Sequence, residues 1–183
     1  TISTPAAATV TADSVITFSG TVVDETAVTV SVAGVAATLG GDSTWTAAVP
    51  LAAGANAITV TAIDAAGNRT DSTRTVTRDV TAPVVTITQP AADITTGDSV
   101  IVLAGTATDE SPFTLNVNGN PLAVDSLGNW STVVSLPSVV NLFVVTAIDA
   151  GGNAGSALRM IGRDNEPPTV VLTSPAEGDT VET

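Results

Sequence analysis

The sequence predicts an all-β chain in which antiparallel β-sandwiches of about seven strands each follow one another in tandem. The first observation behind this prediction is a period of 85 residues without insertion or deletion, in which Trp45 recurs as Trp130 and Gly20 as Gly105. The second is composition: Val, Thr, Ile and Ala form short alternating runs, separated by 15 Gly and 10 Pro. No stretch shows helical periodicity. A strict period of this size indicates an array of small domains.

The period also divides the chain. Its 183 residues hold two periods and the start of a third. We predict a first repeat over residues 1–79, a second over 80–164, and a linker with the first strand of a third repeat over 165–183. Because Thr1 falls inside a strand motif, the first strand is expected to be truncated at its start and the chain to be an excerpt of a longer protein. Each unit is large enough for only one modest core.

The second repeat is complete and shows the predicted elements in order. Pro83 and Pro90 bracket its first segment, as suits an edge strand. Asn118-Gly119 is a strong signal for a tight turn between two later strands. The seven predicted strands lie over residues 83–90, 99–106, 113–117, 121–124, 130–136 and 141–148, with a last strand ending near Arg163.

Seven short strands with regular turn signals favour a sandwich of the immunoglobulin type. In the first repeat, Trp45, Ala47, Val49 and Leu51 alternate as a strand does when one face is buried. This pattern predicts that Trp45 and its counterpart in the second repeat are core residues. The alternative is an exposed platform for stacking on sugars, although neither indole has Tyr or His nearby in the sequence.

Charge and residue usage exclude several classes of function. Eighteen acids face five bases, all of them Arg, which gives a net charge of −13. Such a chain repels nucleic acid and anionic membrane surfaces, and it favours cations as partners. No apolar run is long enough for membrane insertion of this segment. The absence of Cys, His and Lys leaves no thiol, imidazole or amine for catalysis, so we predict that the chain is not an enzyme.

Two motifs carry a resemblance to a known family. Residues 44–68 read TWTAAVPLAAGANAITVTAIDAAGN, and residues 78–83 read RDVTAP. They resemble the signature half and the junction of bacterial immunoglobulin-like (Big-type) tandem repeat domains. The resemblance covers essentially the whole chain. It implies a secreted or cell-surface protein, such as an adhesin, a filament or an accessory module of a large extracellular enzyme, and it implies no chemistry of its own.

Acidic side chains recur where an immunoglobulin-type topology brings loops to one end of the sandwich. For the second repeat these are Asp109 and Glu110, Asp149 and Asn153, together with Asp79 in the linker that enters it. Loops and a linker rich in hard oxygen ligands suit Ca²⁺, so we predict a calcium site at the junction of the two repeats. The equivalent positions elsewhere are Asp24, Glu25, Asp64 and Asn68 in the first repeat, and Asp164, with Glu166 beside it, at the next junction.

A simpler interpretation of the same residues stays open. Asp-x-x-Gly-Asn also makes a good hairpin turn, in which Asp accepts bonds from its own backbone and Gly adopts a positive φ. In the linker, Asp79 could pair with Arg78 or accept amide hydrogen bonds. On that interpretation the motif serves turn formation alone and no cofactor is needed.

The function predicted from these features is structural. Stacked repeats with short proline-containing linkers would form a stalk, spacer or filament body on a bacterial surface. The alternative is a ligand-binding adhesin repeat or a carbohydrate-associated accessory module of a large secreted enzyme. The predicted partners are the neighbouring immunoglobulin-like repeats of the same chain.

Two segments raise the question of self-association. The strand over residues 141–145 is apolar on both faces, whereas the first repeat has Ala57 and Thr59 where the second has Leu142 and Val144. Either loops of its own domain cover the second face, or it packs laterally against another chain. The tail from Pro168 is expected to be the cut edge of the array. Strand donation from this tail would instead give head-to-tail fibres.

Overall fold

The structure is a computed structural model that describes residues 1–174 and Gly178. In the first repeat the strands are β1 (Ile2–Thr4), β2 (Thr9–Thr11), β3 (Val15–Thr21), β4 (Val28–Val32), β5 (Val35–Ala36), β6 (Thr38–Leu39), β7 (Thr44–Pro50), β8 (Gly54–Asp64) and β9 (Arg69–Arg78). In the second they are β10 (Val84–Gln89), β11 (Ile94–Thr96), β12 (Val100–Thr108), β13 (Phe113–Val117), β14 (Asn120–Leu122), β15 (Asn129–Ser135), β16 (Val140–Asp149) and β17 (Ala154–Arg163). None of the described residues lies in a helix, so no membrane-crossing helix is found among them.

Each repeat consists of two sheets. The first repeat has a four-stranded sheet in the order β1-β3-β7-β6 and a five-stranded sheet in the order β2-β9-β8-β4-β5. The second has a three-stranded sheet, β10-β12-β15, and a five-stranded sheet, β11-β17-β16-β13-β14. This arrangement confirms the predicted all-β tandem of immunoglobulin-like sandwiches. The predicted boundary after residue 79 falls in the segment between β9 and β10.

The two cores lie between the sheets of each repeat, and each is built around one indole. Trp45 is 2% exposed and Trp130 is 3% exposed, which confirms them as core residues and makes the sugar-stacking alternative wrong. The inward alternation along β7 is also confirmed, because Ala47, Val49 and Leu51 are all buried. The two clusters share no residue, so each repeat buries its own apolar side chains.

The first strand of each repeat is divided between the two sheets, which the sequence did not predict. Strand β1 pairs antiparallel with β3, and a few residues later β2 pairs parallel with β9 in the opposite sheet. The second repeat does the same with β10 and β11. The parallel pieces have three residues each and no apolar alternation, so the sequence carries little signal for them.

The turn before the sixth predicted strand is closed by an asparagine in both repeats. In the first repeat Asn56 accepts a hydrogen bond from the amide of Ala52 and donates to its carbonyl, with distances of 2.9 and 2.8 Å. Asn141 makes a comparable pair of bonds with Ser138, at 3.1 and 2.7 Å. The bonded partner is one residue further along because Pro137, which replaces Ala52, has no amide N–H to donate.

The predicted third repeat is not visible as a strand in the described residues. Residues 165–174 carry no strand, and the remaining residues of that segment, apart from Gly178, lie outside the described part of the chain. Strand donation from this tail likewise stays a prediction.

Candidate metal centre

Three aspartates from three separate segments meet between the repeats. Asp79 follows β9 in the linker, Asp109 follows β12, and Asp149 ends β16. One carboxylate oxygen from each lies within 4.8 Å of the other two. Asp149 is 6% exposed and the other two are half-buried. These three residues are called the junction cluster below.

Asp79, the aspartate of the linker, is hydrogen-bonded to both repeats. Its amide donates to the Thr11 carbonyl at 2.9 Å, which extends the pairing of β2 with β9 by one residue. One carboxylate oxygen of Asp79 accepts from the amide of Thr81 at 3.0 Å. The other accepts a hydrogen bond from the Ser111 hydroxyl of the second repeat. The linker is thus bonded to the first repeat through the backbone amide of Asp79 and to the second through its carboxylate.

Asp109 contributes a buried oxygen that has no partner. Its Oδ1 accepts from the amide of Ser111 at 2.7 Å. Its Oδ2 is shielded from solvent and accepts no hydrogen bond from the described residues. A buried carboxylate oxygen without a donor is costly to desolvate, and a bound cation would satisfy it.

Asp149 is held by the turn that follows β16. Its two carboxylate oxygens accept from the amide and the side-chain nitrogen of Asn153, at 2.8 and 2.9 Å. Burial raises the pKa of Asp149, but hydrogen bonds from Asn153, Gly152 and Gly151 outweigh this effect, and the pKa lies below its ordinary value. The carboxylate is therefore charged at neutral pH.

The same turn recurs elsewhere, with the hydrogen bonds that the hairpin interpretation of Asp-x-x-Gly-Asn predicts. Asp64 accepts from the amide of Asn68 at 2.7 Å and from its side chain at 2.6 Å. Asp125 and Asn129 repeat these bonds at 2.8 and 3.0 Å, in a third copy that the sequence prediction overlooked. Of the three turns, the one at Asp149 is the one whose carboxylate lies in the junction cluster.

Two predicted ligands are placed differently from the other three. Glu110 is exposed and is not part of the junction cluster. Asn153 directs its side-chain nitrogen, rather than its oxygen, towards the cluster and donates to the Asp79 carbonyl at 3.1 Å. In this arrangement Asn153 donates hydrogen bonds to the linker and within its own turn.

The first repeat does not gather its equivalent residues into such a cluster. Asp24 accepts from the amide and hydroxyl of Thr26, both at 2.8 Å, and Asp64 is occupied by its own turn. Asp24, Asp64 and Asn68 line a shared cavity of about 350 Å³, while Glu25 is exposed. Within the described residues, the junction cluster is the one group of three carboxylates close enough to share an ion.

Asp164, at the end of the second repeat, repeats the local geometry of Asp79. Its amide donates to the Thr96 carbonyl at 2.9 Å, and its Oδ1 accepts from the amide of Glu166 at 3.0 Å. The carboxylates of Asp164 and Glu166 are both exposed, so the described residues provide no further ligand for them.

No arginine neutralises the junction cluster among the residues that the structure describes. The ion pairs among the described residues lie elsewhere and join Arg69 to Asp71 and Arg159 to Asp93. Arg78, next to the linker aspartate in sequence, donates instead to the carbonyls of Ala12 and Leu51. The predicted pairing of Asp79 with Arg78 is therefore wrong. Three close carboxylates without a cationic side chain make a local field that attracts a hard divalent cation.

Sequence reasoning missed two contacts of the junction. Ser111 is one, although a hydroxyl at this position recurs as Thr26 in the first repeat and could have been noticed. The other is a backbone bond between the repeats, in which the amide of Ala12 donates to the Gly151 carbonyl at 3.0 Å. Backbone bonds of this kind leave no signature in a sequence.

The fold and the junction define the class of protein as tandem immunoglobulin-like β-sandwiches connected by a short acidic linker. The sequence model of the family described as glucodextranase, domain B, matches residues 1–80 and again residues 83–164. These matches cover most of the chain, which therefore belongs to the glucodextranase domain B family. A comparison with curated protein sequences finds no match.

Solved structures with similar folds support the same architecture. The fibronectin(III)-like modules of CbhA from Clostridium thermocellum superpose with a TM-score of 0.56 at 22% identity, over 89% of this chain and 93% of theirs. An I-band fragment of titin superposes with a TM-score of 0.52 at 13% identity, over 86% of this chain and 62% of the fragment. At such low identities these likenesses concern the fold alone.

Proposed function

We propose that the two repeats form a non-catalytic spacer whose junction is held by its linker and by a bound calcium ion. The observation that carries this proposal is the junction cluster, in which Asp79 belongs to the linker while Asp109 and Asp149 belong to the second repeat. An ion bound by all three would tie the linker to the sandwich that follows it. Calcium fits because it accepts carboxylates in one- or two-oxygen modes and tolerates irregular geometry.

The wider setting of the proposal is a bacterial extracellular surface protein. We propose that repeats of the Big type, stacked in one chain, act as a stalk or filament body. The acidic surface and the predicted absence of catalytic groups support a structural role. Neighbouring immunoglobulin-like repeats would be the principal partners.

Thermal unfolding with and without calcium tests the metal site. Calcium at about 100 times its dissociation constant would stabilise the folded chain by about 2.7 kcal/mol, which raises Tm by about 5 to 10 °C over the value in chelator. Asp109→Asn keeps the shape of the side chain and should abolish the shift. Asp24→Asn, at the equivalent position of the first repeat, is the matched control and should keep it. Equal melting in calcium and chelator would overturn the proposal of a metal site.

The family description supports one alternative function. A domain B of a glucodextranase is by its description one part of an enzyme, so this chain could be a carbohydrate-associated accessory module. A ligand-binding adhesin repeat belongs to the same class of alternatives. Binding of the chain to an immobilised glucan, retained after Asp109→Asn, would favour these alternatives over the spacer.

A further inference from the structure

The outer face of the five-stranded sheet in the second repeat is apolar. Leu158 is 64% exposed, Val140 58%, Leu142 54% and Met160 47%, and Val144 beside them is half-buried. These five side chains are called the apolar face. Leu142 lies opposite Met160 and Val144 opposite Leu158 in the pairing of β16 with β17, so the side chains form one continuous patch. Cover by loops of the same domain, one of the two predicted explanations, is therefore wrong.

The first repeat shows that the fold does not require this face. At the equivalent positions it has only small or polar residues, namely Ala55, Ala57, Thr59, Thr73 and Thr75. Both repeats nevertheless form the same five-stranded sheet around a buried core. The exposed apolar side chains of the second repeat are therefore not needed to form its sheet or its core.

The first repeat also carries a charged pair of side chains on the face that corresponds to the apolar face. In the first repeat an exposed ion pair between Arg69 and Asp71 lies at the end of the β8–β9 hairpin. The second repeat has Ala154 and Ser156 at these positions. The centre of the apolar face thus lacks the charged pair that its counterpart carries, whereas Asp93 lies at its edge, where its carboxylate accepts from the amide of Met160 at 3.0 Å and pairs with Arg159. An uncharged centre with a charged rim is the pattern found at protein interfaces.

We propose that the apolar face packs against the same face of a second copy of this chain. The net charge of −13 makes two copies repel each other wherever their acidic surfaces meet. They can approach closely only through a surface without charge, and an uncharged apolar patch is complementary to itself in a two-fold arrangement. Two sheets would then meet face to face, as they do inside a sandwich. This proposal does not depend on the metal site.

The size of the sheet fits a weak two-fold contact. In sheet order its strands have 3, 10, 10, 5 and 3 residues, which at about 3.4 Å per residue and about 4.8 Å between strands give a face of about 500 Å². A standard interface buries about 800 Å² on each partner, so this face suits a smaller and more transient contact. The apolar residues lie on β16 and β17, near its middle, and polar residues such as Thr114 and Asn116 surround them. Because the apolar centre is small, we expect a weak dimer that dissociates at about 10 µM to 1 mM.

Sedimentation equilibrium of the whole chain tests the proposal. The average mass should rise from 18.0 kDa towards twice that value as the concentration approaches about 1 mM, and it should rise further with added salt, which screens the repulsion. The triple variant Leu142→Ala, Leu158→Thr, Met160→Thr carries the first repeat's own residues and should stay monomeric. These positions are exposed, so an unchanged Tm is expected to show that the variant folds.

A matched control lies on the opposite sheet. Val133 is 67% exposed on β15, and Val133→Thr removes an exposed apolar group outside the apolar face. It should associate as the wild type does. The proposal is overturned if the wild-type chain stays monomeric throughout, which would leave a different partner for this face. It is also overturned if the triple variant associates as strongly as the wild type, or if Val133→Thr alone abolishes association.

Discussion

At the scale of residues, hydrogen bonds hold the carboxylates of the turns in their charged form. The side chain and the amide of Asn129 lower the pKa of Asp125 below its ordinary value, and Asn68 does the same for Asp64. A carboxyl whose pKa is lower in the folded state than in the unfolded state stabilises the fold above its unfolded pKa. That contribution is lost as the pH falls through the folded pKa.

The first prediction is therefore a stability that is level at neutral pH and falls below about pH 4. Asn129→Ala removes the largest cause of the lowered pKa of Asp125, so the variant should be less stable than the wild type at neutral pH and should lose less stability on acidification. Thermal unfolding of the wild type and the variant, measured from about pH 2 to about pH 7, checks this difference in stability. Identical acid profiles for the two proteins would show that the turn does not depend on the charged carboxylate.

Gly105 is explained by the indole that packs on it. A Cβ at this position would lie 2.7 Å from Cζ2 of Trp130 and 1.9 Å from the Thr86 carbonyl oxygen. Gly20 has the same relation to Trp45 in the first repeat. The recurrence of Gly with Trp is thus a packing requirement of each core.

The second prediction is that Gly105→Ala destabilises the chain by about 1 to 3 kcal/mol or more, because the core must shift to admit the methyl group. Gly41→Ala is the control: nothing lies within 4 Å of the added Cβ, so its effect should be within about 0.5 kcal/mol. Urea unfolding of both variants measures the difference. Equal stabilities would mean that the packing of Gly against Trp has no energetic importance.

At the scale of elements, arginine side chains join the divided first strand to the last strand of each repeat. Arg159 on β17 donates to the Ile87 carbonyl of β10 at 3.1 Å, and Arg74 on β9 donates to the carbonyls of Ile2 and Pro5. These bonds cross from one sheet to the other. They satisfy carbonyls near the place where the first strand leaves its sheet.

The third prediction compares two arginines. Arg159→Ala should destabilise the second repeat by about 1.5 to 3 kcal/mol, because it removes a charged donor that is largely buried. Arg69→Ala removes an exposed ion pair that solvent screens, so its effect should be smaller than that of Arg159→Ala. Chemical unfolding checks the order of the two effects. If Arg69→Ala is the more damaging change, the bond from Arg159 to the Ile87 carbonyl does not stabilise the second repeat as proposed.

The elements differ in how well the sequence predicts them. Strand β13 was predicted with its observed bounds, because its alternation is regular and Asn118-Gly119 marks its end. Strands β2 and β11 were missed, since three residues in a parallel pair leave no periodic pattern. For the site, the period and the topology were sufficient to predict that Asp79, Asp109 and Asp149 converge. The sequence does not predict the orientation of individual side chains, as the exposed Glu110 and the donor role of Asn153 show.

At the scale of the whole molecule, the junction decides whether two sandwiches act as one rod or as two loosely linked domains. Few hydrogen bonds join them among the residues that the structure describes. They are the bond from the Ala12 amide to the Gly151 carbonyl, and the bonds that Asp79 makes with Ser111 and Asn153. We propose that these bonds, together with a bound calcium ion, fix the orientation of the repeats.

Spin-label distances across the junction test this claim most directly. The chain has no cysteine, so Thr73→Cys and Ser131→Cys place one label on the exposed surface of each repeat. In calcium we predict a single narrow distance distribution, which should broaden several-fold when Asp79→Ala is added or calcium is chelated. A distribution that is broad in calcium, or one that Asp79→Ala leaves narrow, would contradict the claim that the linker aspartate and its ion hold the repeats together.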